Sequence, residues 1–112
     1  MPKFHRLGSF IIGESQIMVI SVNEKAIIVH FVKSLILNDE ETITNVEINF
    51  DEKIWETIYK NLDDEKFLKL TSIIIAKSQI SMVGDGRIIL HNGSVIEYME
   101  DHYMIISEQL KN

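Results

Sequence analysis

Two Asx-Gly pairs, Asp85-Gly86 and Asn92-Gly93, cut the stretch after Phe67 into short apolar runs. Asp-Gly or Asn-Gly between apolar runs is the strongest short-range signal of a type I′ hairpin, because both central residues need positive φ. Ile80 to Val83 and Arg87 to Leu90 therefore read as a hairpin. Val95 to Met99 follows as the next strand. Period-two alternation puts Ile80, Met82, Ile88, Leu90, Ile96 and Tyr98 on a core face. Val83, Ile89, Val95 and Met99 fall on the other face, which is too apolar for free exposure. The first half of the chain or a second subunit is expected to cover it.

The earlier elements follow in order. Lys3 to Ile12 reads as one strand, and Gly13-Glu14-Ser15 as a turn. Gln16 to Val22 and Lys25 to Val32 are apolar on both faces, as central strands are. His30 falls inside the second and reads as a partly buried core histidine. Asn38 to Glu41 is a polar loop. Thr42 to Phe50 alternates like a half-buried strand. Asp51 suits a helix N-cap, and Ile54, Ile58 and Leu62, with Trp55 and Tyr59, make a helical stripe over about 51–62. Core packing is preferred to a stacking platform for that Trp and Tyr. Asp63-Asp64-Glu65 ends the helix. Phe67 to Ile75 stays open between strand and helix. Asp101 is the expected cap of a short C-terminal helix ending near Leu110. No internal repeat or linker is read.

One domain, 1–112, is the expectation at this length. The chain has no cysteine, so thiolate chemistry and Cys-based zinc sites are excluded. No apolar run of about 18 residues suggests a membrane helix, and no signal peptide is read, so cytoplasm is the expected compartment. The net charge of −6 argues against unspecific nucleic-acid binding. Between Leu68 and Ile96, however, Lys69, Lys77 and Arg87 face a single acid, Asp85.

The order of elements resembles the LytTR family, a β-rich DNA-binding domain of bacterial response regulators. The resemblance runs from about Gln16 to Leu110. IMVISVNEKAIIVH is similar to the family's strand-turn-strand, ending at Val29-His30, and EKIWETIYKNL is similar to its helix. LDDEKFLKL resembles the helix end and the Phe-x-Arg segment, with Phe67 as the Phe and Lys69 in place of Arg. With one residue deleted after Thr71, Ser72 matches the family Ser, Ile75 its Val and Ile80 its later Ile. Leu90-His91-Asn92-Gly93 matches the Asn-Gly hairpin. Thr71, Ala76 and Met99-Glu100 stand where the family has His, Asn and Ser-Arg. The implied fold is β-rich α+β, with mainly antiparallel LytTR-like sheets, one central helix and a short C-terminal helix.

The resemblance implies a transcription-regulating module that contacts double-stranded DNA through loops. The candidate loop is Lys77-Ser78-Gln79, helped by Lys69 and Ser72. Lysine suits phosphate, and Gln79 suits an adenine edge. Arg87 and His91 add backbone contacts. The alternative is a LytTR-like module that has lost DNA binding and acts by homodimerisation or by pairing with a regulator protein. Glu100 and the second apolar sheet face motivate it. No catalytic residue, cofactor or metal site is expected. The four histidines are scattered, and His91 and His102 would lie roughly 20 Å apart along a strand.

Overall fold

The computed structural model describes residues 3–37 and 41–111. Three antiparallel sheets and two helices make a β-rich α+β fold. β1 (Phe4–Leu7) and β2 (Phe10–Gly13) pair only with each other. The single strand expected over Lys3 to Ile12 is thus a hairpin, bent at Gly8, which takes a φ of +61°. A five-stranded sheet has the order β5-β4-β3-β7-β6, from β3 (Ile17–Val22), β4 (Ala26–Leu37), β5 (Glu41–Asn49), β6 (Phe67–Lys69) and β7 (Ile73–Ala76). β3 is central, as its two-sided apolarity implied. Asn38 to Glu40 of the expected polar loop lie outside the described residues, and Glu41 opens β5.

Phe67 to Ile75 resolves into two strands joined by a turn, so β-branching prevails over helical spacing there. α1 (Glu52–Asn61) begins as its cap dictates: an Asp51 carboxylate oxygen accepts from the Ile54 N–H at 3.0 Å. Its stripe packs against Leu7, Ile20, Phe67 and Ile74, and Trp55 and Tyr59 lean on that core. Asn23 turns β3 into β4 by accepting from the N–H groups of Lys25 and Ala26.

The third sheet has the order β10-β9-β8, from β8 (Ile80–Gly84), β9 (Arg87–Leu90) and β10 (Val95–Glu97). Asp85 and Gly86 both take positive φ, 53° and 75°, as type I′ requires. Asn92 does not share that geometry. Only Gly93 is left-handed in the second turn, and its N–H bonds to the Leu90 carbonyl. The alternation read for β8 is also corrected. A bulge at Ser81 puts two residues of β8 against one of β9, so Val83 turns inward opposite Ile88 and Met82 turns outward opposite Ile89. Met82 and Val95 are half exposed, so the first half of the chain does not cover this face. α2 (Tyr103–Leu110) ends where expected. Asp101 does not cap it but lies in a 3-10 turn, Glu100–His102. No described helix is long and apolar enough to cross a membrane.

The element order is two copies of one pattern: a hairpin, a 3-10 turn, a three-stranded meander and a helix. Nine of the fifteen residues in Lys3–Ile17 are identical to those in Lys66–Ile80. Gly13-Glu14-Ser15-Gln16-Ile17 and Ala76-Lys77-Ser78-Gln79-Ile80 each make a 3-10 turn with nearly the same entry and exit angles. The Glu14 N–H bonds to Lys3 O as the Lys77 N–H bonds to Lys66 O. A bulge follows the first residue of both β3 and β8. α1 packs on β1 as α2 packs on β6. The sequence thus contains an internal repeat, which corrects the expectation of none. Five of the nine shared residues are apolar, as in any hairpin, which hides it.

Candidate nucleic-acid interface

The two Ser-Gln turns lie side by side. β3 starts and β7 ends at the same edge of the central sheet, because Val19 pairs with Ile75. Ser15, Lys66, Lys77 and Ser78 line one shallow depression, with Glu14 and Glu65. Ser15 and Ser78 are exposed, and Gln16 and Gln79 half-exposed. Gln16 donates to the Lys33 carbonyl at 2.8 Å, which sets the Lys33 stretch inside β4 beside the first turn. The His91 N–H bonds to Gln79 O at 2.9 Å, which sets the β9–β10 turn beside the second. Lys33 and Lys66 are exposed there.

The charge at this end is partly neutralised inside. Glu14 is buried, 2.9 Å from the His5 ring and 3.5 Å from the Lys66 ammonium. Lys77 is held by main-chain oxygens, donating to Asp64 O at 2.9 Å and to Gln109 O at 2.7 Å. Its positive charge sits at the carbonyl end of α2, where the helix dipole favours a cation. Its hydrogen bonds go to carbonyls rather than to a carboxylate, while its charge still acts on the nearby Asp64 carboxyl.

The seven expected contact residues do not form one face, although His91 stays beside the Lys77-Ser78-Gln79 turn through the bond from its N–H to Gln79 O. Lys77, Ser78 and Gln79 are together. Ser72 is exposed, but it precedes β7 and so lies at the far end of a four-residue strand, about 13 Å away. Arg87 is at the tip of the β8–β9 hairpin, opposite Glu97, while Gln79 is at its base. Asp85 and Glu100 border that tip. Lys69 is buried. Its ammonium donates to Leu62 O, meets the Asp64 carboxylate at 2.6 Å and sits 5.5 Å from the centre of the Tyr59 ring. Its backbone is bonded at both ends by the Gln109 amide. Sequence reasoning missed Ser15, Gln16 and Lys66. The repeat of Ser-Gln-Ile was the signal that would have found them.

His30 is half-buried in a crevice between the central and third sheets, beside Ser21 and Ser94. Among the described residues no group of three His, Asp or Glu could hold a metal ion.

No family model matches the sequence, and no curated protein matches it either. A solved structure does match: a LytTr DNA-binding domain from Bacillus cereus, at a TM-score of 0.60 and 14% identity, over 99% of this chain and 97% of that one. The chain has a LytTR-like fold. The LytTR-like arrangement accounts for the three sheets and both helices, since the likeness spans nearly the whole of both chains.

Proposed function

We propose that this chain is a DNA-binding module of the LytTR type, meeting duplex DNA with the end that carries the paired Ser-Gln turns. The observation that carries this reading is the pairing itself. Two short turns of like backbone present Ser15-Gln16 and Ser78-Gln79 from adjacent strands, with Lys77, Lys66 and Lys33 around them. Serine hydroxyls and lysine ammoniums suit phosphate, and glutamine amides suit the N6/N7 edge of adenine. The LytTR-like fold supports the same partner. Lys69 has no part in the contact, and Ser72 and Arg87 lie away from it. Regulation of transcription follows from such binding.

Fluorescence anisotropy with pooled genomic duplexes, at low and at physiological salt, tests the reading. Gln79→Ala and Lys66→Ala should weaken binding, with Lys66→Ala also reducing the salt slope by about one unit. Arg87→Ala should change neither. Absence of binding at low salt would overturn the proposal and leave the protein-contact alternative, whose support is the acidic surroundings of Arg87 and the exposed apolar residues of the third sheet and α2.

A further inference from the structure

The two halves of the chain share a pattern but not an environment. Phe67 is 2% exposed, and its counterpart Phe4 is 63%. Ile74 is 0% exposed, and its counterpart Ile11 is 72%. Val19 is 6% exposed, and its counterpart Met82 is 53%. One relationship explains all three. The β6–β7 hairpin of the second half lies along β3 of the first, with Val19 opposite Ile75, Ile20 opposite Ile74 and Ser21 opposite Ile73. Phe67 and Ile74 then fill the space under α1. The reciprocal junction is not made, since β2 pairs only with β1 and β8 only with β9.

Both sides of that second junction are nonetheless built. Beside the free edge of β8 runs a groove between Val83 and the α2 residues Tyr103, Met104, Ile106 and Leu110. It corresponds to the space between Ile20 and α1 that Phe67 and Ile74 fill. On the other side, the outer face of the β1–β2 hairpin carries Phe4 and Ile11. Charge agrees with the match. From Lys3 to Gly13 the chain has Lys3 and Arg6 and no acid, whereas the receiving end carries Asp85, Glu97 and Glu100 against Arg87, and the groove itself is lined by Glu108 and Lys111.

We infer that the chain associates head to tail with a second copy of itself: the β1–β2 hairpin of one molecule adds through β2 to the β8 edge of the next. The register repeats the internal junction, with Met82 opposite Ile12, Val83 opposite Ile11 and Gly84 opposite Phe10. Such strand addition covers two free edges and two apolar surfaces together. The contact is heterologous, so it leaves one hairpin and one groove open and extends unless a ring closes. It does not rest on DNA binding and is measured without DNA.

The test is sedimentation equilibrium of the whole chain from micromolar concentration upward, with Ile11→Arg, Phe4→Ser and Met82→Arg, all at exposed positions. Circular dichroism and thermal melting establish that each variant is folded. Wild type should grow in mass with concentration. Each variant alone should stay monomeric, since each has lost one of the two complementary surfaces. Mixing Ile11→Arg with Met82→Arg should give a one-to-one dimer that grows no further, because one unaltered hairpin and one unaltered β8 edge remain. A wild type that stays monomeric, variants that associate like wild type, or a mixture that stays monomeric would each overturn the inference.

Discussion

The side-chain amide of Gln109 makes both hydrogen bonds that a neighbouring strand would make to Lys69. Its Oε1 accepts from the Lys69 N–H at 2.8 Å, and its Nε2 donates to Lys69 O at 2.7 Å. β6 is the outermost strand of the five-stranded sheet on that side. One glutamine from α2 thus closes the end of an open edge and fixes the helix to it.

Gln109→Ala should therefore lower stability by about 1–3 kcal/mol, since it leaves two partly buried backbone groups without partners. Urea denaturation followed by circular dichroism measures it. An unchanged midpoint would mean that water replaces the amide without loss.

Lys69→Ala should cost a similar amount, about 1–3 kcal/mol, mainly because Leu62 O loses its donor inside the protein. The Asp64 partner is 87% exposed and screened by water, so the ion pair itself adds little. DNA affinity of the folded variant should match wild type. A loss of affinity comparable to that of Gln79→Ala would contradict the buried role.

Acid stability should carry a mark of Asp64. Its carboxyl is held below the ordinary value of 3.8, first by the hydrogen bond from Lys69, then by the charges of Lys69 and Lys77. The folded state favours the ionised form, so the stabilisation is present above the unfolded pKa. It is lost as pH falls below 3.8 through the lowered folded-state value. Asp64→Asn should flatten the fall of the urea midpoint in that window. The slope near neutral pH should stay as in wild type.

Asp51→Ala should destabilise by about 1 kcal/mol, because the Ile54 N–H loses its acceptor, and Asp51→Asn by less. Thermal melting of the two variants side by side checks the order.

These cases also mark where the sequence was legible. Asp51 and Asp85-Gly86 act on residues within a turn of themselves, so local chemistry decided them. The α1 stripe was equally plain, since five apolar side chains at helical spacing have one way to face a core. The face of Met82 was not legible, because a bulge at Ser81 leaves no mark in the alternation. The site was read less well than the fold. A lysine in a sequence declares its charge but not the direction of its side chain. Lys69 is turned inward by the Leu62–Asp64 turn before it and by Gln109 forty positions later. Ser78 and Gln79 follow from the resemblance, whereas of their partners Ser15 reads as an ordinary turn residue and Gln16 as the start of a strand.

The β3–β7 junction has a consequence for synthesis. Translation delivers β3 well before Phe67 and Ile74 leave the ribosome, and α1 only shortly ahead of them. Through that interval the nascent first half carries an open strand edge and an unfilled groove, the condition in which the second half remains after the chain is finished. On a messenger read by several ribosomes, the nearest complete hairpin belongs to a neighbouring chain. Expression level, and the spacing of ribosomes along the message, therefore bear on whether β3 receives its own hairpin or a stranger's.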